Sequence, residues 1–236
     1  MLKDELIQKS PIRVFEKSIH GGLGKGNLGV ITARKGVGKT ACLAHVAIDK
    51  MLRGQYVLHI SFSDNPYHIR SWYRQVFDEV AKQYKLEHAL NVFDELVHHR
   101  LIMQFKQNNF GFDQIQDHIN QVEAGTNFKP EIIIVDGCDF EQMDKDTLMS
   151  WKKLAEDQGA AIWFAAVLHR DNLQLDAYGV PAPVNLFSDL FSVIIMLNPM
   201  HDYIEMKLLK DHDQKDSEPL HLKLDPKTLL ISNHRI

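Results

Sequence analysis

The chain has few cysteines, no long apolar run and no excess of basic residues. Its two cysteines, Cys42 and Cys138, argue against a disulfide framework and suit a reducing cytoplasm. The amino terminus is too charged for a signal peptide, and no apolar run reaches the length of a membrane span. The formal net charge of −4 excludes an overall basic field that would attract nucleic acid or anionic membranes. We therefore predict a cytoplasmic protein without a membrane span.

The rest of the composition is ordinary for a globular protein, and the length suits a single α/β domain over residues 1–236. Short β-branched runs alternate with helical patterns, which predicts a mainly parallel sheet with helices on both faces. Residues 1–20 form a lead-in, and the helical patterns stop near residue 188, so we predict an antiparallel β extension over 188–236. The predicted strands are 28–33, 56–61, 100–105, 131–136, 161–168, 190–197, 203–210, 220–223 and 228–232, and the predicted helices are 40–53, 67–84, 87–97, 113–123 and 144–157.

Residues 33–40 read Ala-Arg-Lys-Gly-Val-Gly-Lys-Thr and lie between a predicted strand and a predicted helix. This order of strand, glycine-rich loop and helix is typical of a phosphate-binding P-loop. Gly36 and Gly38 let the backbone curl so that several N–H groups point at one anion, beside the positive end of the helix. Lys39 supplies a charge for the terminal phosphates, and the Thr40 hydroxyl is a ligand for Mg²⁺. The residues predicted to bind the nucleotide are Arg34, Lys35, Gly36, Val37, Gly38, Lys39, Thr40 and Ala41.

Three positions of this loop leave alternatives open. Ala33 stands where the usual pattern has a first glycine, which an alanine can replace if the backbone φ there is negative. Arg34 and Lys35 either add positive charge beside the phosphates or are solvated on the surface. These positions do not change the main prediction, because the flanking strand and helix have the order that a P-loop requires.

A second apolar run, residues 130–136, ends in the carboxylate of Asp136. Strands often end in aspartate, so this pattern alone is weak. Together with the P-loop it predicts the second magnesium-binding element of a P-loop nucleotidase, with Asp136 beside Thr40. We therefore predict Mg²⁺ as the metal and Thr40 and Asp136 as its protein ligands.

Two polar residues follow other predicted strands, at the sheet edge where ligands gather in α/β folds. Asp64 follows the strand at 56–61 and is either the acid that orients and deprotonates an attacking water or a helix-capping residue. His169 follows the strand at 161–168 and is either a sensor of the terminal phosphate or a buried histidine with its hydrogen bonds satisfied.

The order of these elements resembles the RecA-like ATPases, most closely the KaiC-like branch and more distantly the ATPase domain of the DnaB helicase. The resemblance covers about residues 12–232 and rests on a Gly-Gly-Leu-x-x-Gly segment at 21–26, the P-loop, residues 61–64, the strand to Asp136, His169 and residues 208–212. It implies a RecA-like P-loop core that binds ATP and Mg²⁺. It also implies a homo-oligomer, with a hexameric ring as one possible form.

Two positions differ from the family pattern. Ser63 and Asp64 stand where the family has a glutamate pair, one of which is the catalytic base. By the resemblance Asp64 takes that role with a shorter side chain, and a water misplaced by ~1 Å can lower the rate on the order of 10²-fold. The family's late Lys-x-Arg reaches a neighbouring subunit's nucleotide, which makes Lys210 and His212 the candidates for this contact. A histidine cannot form the two-pronged phosphate contact of an arginine.

In RecA-like rings the loops after the fourth and fifth strands face the central channel. Here these loops are about 137–147 and 170–187, and both are net acidic. Because phosphate binding depends on lysine and arginine, nucleic acid is disfavoured as a partner. The second loop is fairly apolar and is either a contact for a protein partner or a flexible surface loop.

We therefore expect a slow ATPase that acts as a nucleotide-dependent regulatory or assembly switch for a protein partner. The first alternative is a nucleotide-binding scaffold or regulator that does not hydrolyse ATP, which the Ser63-Asp64 pair motivates. The second is a recombinase-like or helicase-like DNA motor, which the acidic loops argue against. A phosphotransferase is less favoured, because no site for an acceptor substrate is visible in the sequence.

Overall fold

The computed structural model describes residues 2–62, 66–106, 111–168, 174–214 and 219–233. These residues form an α/β fold around a nine-stranded sheet, and every predicted strand and helix is present within three residues of its expected bounds. The strands are β1 Leu28–Ala33, β2 Val57–Ser61, β3 Arg100–Gln104, β4 Ile132–Asp136, β5 Ala161–Val167, β6 Val193–Pro199, β7 Ile204–Asp211, β8 Leu222–Leu224 and β9 Ile231–Asn233. The helices are α1 Lys3–Lys9, α2 Ile12–Ser18, α3 Lys39–Leu52, α4 Pro66–Tyr84, α5 Ala89–Val97, α6 Phe112–Gly125 and α7 Lys145–Gln158, with a 3₁₀ turn at Val184–Phe187.

The strand order is β3-β2-β4-β5-β1-β6-β7-β8-β9, with β1 between β5 and β6. The pairs from β3 to β6 are parallel, and those from β6 to β9 are antiparallel. The prediction that all strands after residue 188 belong to an antiparallel extension was therefore wrong for β6, which pairs in parallel with β1. The segment between β5 and β6 is long enough for the crossover that a parallel pair needs.

Helices cover both faces of the sheet, as predicted. Successive strand residues point to opposite faces, so that Ile31 belongs to one apolar core and Val30 to the other. Helices α1 to α5 pack on the first face, and α6, α7 and the 3₁₀ turn pack on the second. No helix in the described ranges is long and apolar enough to cross a membrane.

The amino-terminal lead-in forms two helices that dock on α3 through a network of charges. Glu16 of α2 accepts from Arg53 at 2.7 Å and from Lys50, and Arg13 bonds both Glu16 at 2.8 Å and the buried Asp49. Burial alone would raise the pKa of Glu16, but the hydrogen bonds and charges of Lys50 and Arg53 lower it below its usual value. The lead-in is therefore tied to α3, the helix that follows the predicted P-loop at residues 33–40.

The carboxyl-terminal strands reach the other end of α3. The backbone N–H of Ile231, in β9, donates to Nδ1 of the buried His45 at 3.1 Å. The turn between β8 and β9 is held by Asp225, whose Oδ1 accepts from the N–H groups of Lys227 at 2.7 Å and Thr228 at 3.0 Å. This turn places Leu229 against the first core, beside the P-loop.

We predict that Gly29→Ala destabilises the fold. A Cβ atom on Gly29 would lie 2.7 Å from two ring atoms of Trp163 and 3.0 Å from Leu23. Overpacking of this kind costs about 1–3 kcal/mol, and a ring buried in the sheet core has little room to move. Thermal unfolding of the variant checks this, with Gly125→Ala as the control because no atom lies within 4 Å of its Cβ position. Equal melting temperatures for the two variants would contradict the packing argument.

Acid should destabilise the protein through two buried histidines. Burial lowers the pKa of His45 from 6.5 to about 4 and, with the charge of Arg100, that of His59 to about 3. Each histidine is neutral in the folded chain, whereas the unfolded chain takes up its proton. The His45 contribution is therefore complete above pH 6.5 and is lost as the pH falls towards 4, on the order of 3 kcal/mol. Denaturant unfolding across this range should give a shallower loss for His45→Gln, which does not titrate; an identical pH profile would contradict the assignment.

Candidate functional site

A cavity of about 400 Å³ lies at the carboxyl ends of the parallel strands, beside the P-loop. The P-loop joins β1 to α3, and the last residues of β2, β4 and β5 also reach the cavity. Ligands in open α/β sheets bind at this edge, and the size falls within the roughly 300–1,000 Å³ of typical ligand pockets. Its lining residues are Lys35, Gly36, Gly38, Lys39, Thr40, Ala41, Ser61, His68, Ile69, Trp72, Asp136, Gly137, Val167 and Leu229.

Two glycines determine the backbone conformation of the loop. Gly36 and Gly38 have φ values of +82° and +108°, in the region that glycine occupies without strain. Gly38 is also closely packed, because a Cβ atom there would lie 2.8 Å from Leu224 and 3.4 Å from Leu229. Gly36 has open space around it. The predicted curled backbone is therefore present, and the carboxyl-terminal turn covers one side of it.

Lys39 is the first residue of α3, and its side chain is buried under the loop. Its Nζ donates to the carbonyl oxygens of Ala33 at 2.9 Å and Arg34 at 3.1 Å. Burial lowers the pKa of Lys39, and the nearby carboxylate of Asp136 partly offsets this effect. The ammonium group thus lies at the cavity wall with two of its three protons bound to the loop backbone.

Thr40 and Asp136 meet across the cavity, as predicted. The hydroxyl of Thr40 donates to Oδ2 of Asp136 at 2.7 Å, although β5 separates β1 from β4 in the sheet. Burial raises the pKa of Asp136, while the Thr40 hydrogen bond and the charge of Lys39 act in the opposite direction. A hydroxyl, a carboxylate and an ammonium group therefore lie together in one partly buried site.

The amino terminus of α3 adds a positive electrostatic potential. Its N-cap is Gly38, which has no side chain to accept from the first N–H groups of the helix. These N–H groups have no partner within a helix, and the helix dipole favours an anion beside them. Because Lys39, Thr40 and Ala41 all line the cavity, the site has the physical properties of an anion site.

The opposite side of the cavity contains residues of α4 that the sequence did not identify as part of a site. The helical stripe through Ile69 and Tyr73 is buried in the core, whereas Trp72 is only partly buried and lines the cavity with Ile69. The indole N–H of Trp72 donates to Nε2 of His68 at 3.0 Å, and the two rings are nearly perpendicular at 86°. This bond requires an unprotonated Nε2, so the neutral His68 ring carries its proton on Nδ1.

The remaining predicted P-loop residues have different environments. Arg34 and Lys35 are exposed, and Lys35 lines the cavity. Val37 is partly buried and packs against the first core, and Ala41 is buried at the cavity wall. Asp64 and His169 lie outside the described residues, so their predicted roles stay predictions.

Lys210 and His212 are engaged within their own chain. Lys210 is buried and donates to the carbonyl of Ser188 at 2.7 Å. Nδ1 of His212 lies 2.7 Å from Oδ1 of Asp211. Because Asp211 pairs with Val193, near the beginning of β1 in the sheet, these residues lie away from the P-loop of the same chain.

Searches with known family models and among curated proteins found no match to this chain.

Gly38→Ala should disturb the loop more than Gly36→Ala. Both positions have positive φ, which disfavours alanine by a similar amount, but only Gly38 also lacks space for a Cβ atom. We expect Gly38→Ala to lower the melting temperature by several degrees more than Gly36→Ala, as measured by calorimetry. The reverse order would show that Leu224 of β8 does not pack tightly on the loop.

Proposed function

We propose that this protein is a cytoplasmic, RecA-like P-loop ATPase of the KaiC-like branch that binds Mg·ATP and hydrolyses it slowly. Its role is that of a nucleotide-dependent regulatory or assembly switch for a protein partner. The observation that carries the proposal is the Thr40–Asp136 pair, which lies with Lys39 in a cavity at the amino terminus of α3. Packing of the apolar core does not explain why a helix end, a buried ammonium group and a carboxylate lie together in one open cavity.

The residues at this edge fit a magnesium ion held with phosphates. No group of three His, Cys, Asp or Glu side chains in the described parts of the chain could hold a metal. Mg²⁺ does not require one, because it commonly binds one or two carboxylates together with waters and phosphate oxygens. The oxygens of Thr40 and Asp136 are 2.7 Å apart, close to the roughly 3 Å between neighbouring ligands of octahedral Mg²⁺. Bound there, the ion would neutralise charge on the phosphates.

The two sides of the cavity suit the two halves of a nucleotide. The P-loop and the start of α3 provide N–H groups and the ammonium group of Lys39 for phosphate oxygens. Trp72, Ile69 and Leu229 provide apolar surface for a flat base. The preference for ATP over GTP rests on the family resemblance.

Hydrolysis needs a group that orients and deprotonates water. Asp64 remains our candidate, by its place after β2, and its short side chain is the reason to expect slow turnover. The same feature supports the alternative of a regulator that binds ATP without hydrolysing it. We further propose a homo-oligomer, with a hexameric ring as the candidate form, in which Lys210 and His212 leave their present contacts and act on the nucleotide of a neighbouring subunit.

The test is ATP binding and turnover by the wild type and by Lys39→Ala. We expect Lys39→Ala to weaken ATP binding at least tenfold and to abolish turnover, because it removes the buried charge. Lys153→Ala, an exposed lysine on α7, is the matched control and should leave both unchanged. Absence of ATP binding by the wild type would contradict the proposed function, and binding without turnover would favour the non-hydrolysing alternative.

The Asp136→Asn variant tests metal binding separately from nucleotide binding. We expect this variant to bind ATP in EDTA as well as the wild type does and to lose the gain in affinity that Mg²⁺ gives, because the amide is a weaker metal ligand than a carboxylate. Titration calorimetry with and without Mg²⁺ measures both affinities. An unchanged magnesium effect would exclude Asp136 as the metal ligand.

A further inference from the structure

A cluster of exposed apolar side chains follows β5, and none of them lines the nucleotide cavity. Leu175, Tyr178 and Leu186 are 62%, 49% and 69% exposed. They are three of the nine large apolar side chains that are exposed in the described residues, and they lie within a short stretch of the chain. Scattered exposed apolar residues are normal, whereas a cluster marks a site of interaction.

The segment that carries this cluster has a defined conformation. Oδ1 of Asp176 accepts from the backbone N–H groups of Tyr178 at 2.8 Å and Val180 at 2.9 Å, and Leu175 forms a β-bridge with Pro181. Val180, Val184 and Phe187 are buried in the second core. The exposed side chains are therefore held outwards by a fixed backbone, which lowers the entropy that a partner's binding would cost.

A recess lies beside the cluster. A cavity of about 210 Å³ is bounded by Pro183 on one side and by the segment after β4 on the other, where Asp139 and Glu141 line it with the buried Phe140. The ring of Phe140 contacts that of Phe187 at 6.2 Å between centroids, which joins this segment to the one that carries the cluster. The recess has room for an apolar side chain, and the negative charges of its two acidic residues would attract a cation beside that side chain.

The charge of this surface is mainly negative. Lys210 of β7 reaches it from a neighbouring element, with its Nζ 5.4 Å from the centroid of the Tyr178 ring. Segments 137–147 and 174–189 together contain six acidic residues and one cation, Lys145. The Nζ of Lys145 is already paired with Asp189 at 2.6 Å. An acidic surface repels phosphates and also repels a second copy of itself, and it attracts a partner that carries lysine or arginine.

We propose that Leu175, Tyr178 and Leu186, with the recess at Pro183, form a docking surface for a protein segment that presents large apolar side chains beside lysines or arginines. This deepens the proposed function, because it states the chemistry of the partner that the nucleotide switch would control. The apolar side chains supply the binding energy, and the acidic residues select the charge of the partner.

The test uses two short synthetic peptides of equal length, with leucine alternating with lysine in one and with glutamate in the other. Fluorescence anisotropy measures their affinity for the full chain. We expect the basic peptide to bind at least tenfold more tightly than the acidic one, and Leu186→Ser to weaken its binding about tenfold through loss of a buried leucine contact. Leu90→Ser is the matched control, because Leu90 is 65% exposed on α5 and lies near Asp94 and Glu95.

A second pair of variants tests the charge. Glu141→Gln should weaken binding of the basic peptide and reduce its dependence on salt, whereas Glu95→Gln on α5 should do neither. Equal effects of Leu186→Ser and Leu90→Ser, or equal binding of both peptides, would overturn the proposal. So would tighter binding of single-stranded DNA than of the basic peptide. If the protein self-associates and Leu186→Ser abolishes the self-association, the occupant of the surface is a second copy of this chain. That result would also overturn the proposal.

The failure of docking can be told from the failure of the proposed function. ATP binding is measured on the same variants, and Leu186→Ser should leave it unchanged because Leu186 lies outside the nucleotide cavity. Lys39→Ala should lose ATP binding and still bind the basic peptide. If peptide selectivity is absent and ATP binding is intact, only the docking surface is refuted. If ATP binding is absent and peptide selectivity is intact, only the nucleotide site is refuted.

Discussion

The central strands are buried on both faces, and this constraint governs where chemistry can occur in the molecule. Burial of a polar group costs free energy unless the group is paired, so the strands are almost entirely apolar and His59, an exception, is held neutral. Polar side chains accumulate where the strands end. The ends of β1, β2, β4 and β5 therefore supply the cavity and its hydrogen bonds, while the helices keep both faces dry.

Most of the fold could be predicted because the signals that specify it are local. Apolar runs with β-branched residues identify strands, and apolar residues with helical spacing identify helices. The direction of β6 could not be predicted in this way, since an apolar strand can pair with β1 in either a parallel or an antiparallel direction. The helices α1 and α2 were missed because they are short, and their attachment to α3 depends on ion pairs between residues far apart in sequence.

Local sequence signals likewise predicted some residues of the candidate site and not others. The positions of the glycine-rich loop and of Asp136 were predictable. The glycine pattern between a strand and a helix has a strong interpretation, and the acidic strand end gains weight only beside it. Their meeting at Thr40 agrees with that prediction. Trp72 and His68 were not predictable, since the same helical stripe that buries Ile69 turns them towards the cavity. Leu229 joins the site only because the turn after β8 folds back over the loop.

The contact between Gly38 and the β8–β9 turn has a consequence for synthesis of the chain. Leu224 and Leu229, which pack against Gly38 of the glycine-rich loop, follow it in the chain by 186 and 191 residues. Contacts between such distant segments form late in folding and carry a large entropic cost of loop closure. A nascent chain therefore has its glycine-rich loop uncovered until β8 and β9 are translated, and the cavity takes its final shape only when these strands add to the sheet.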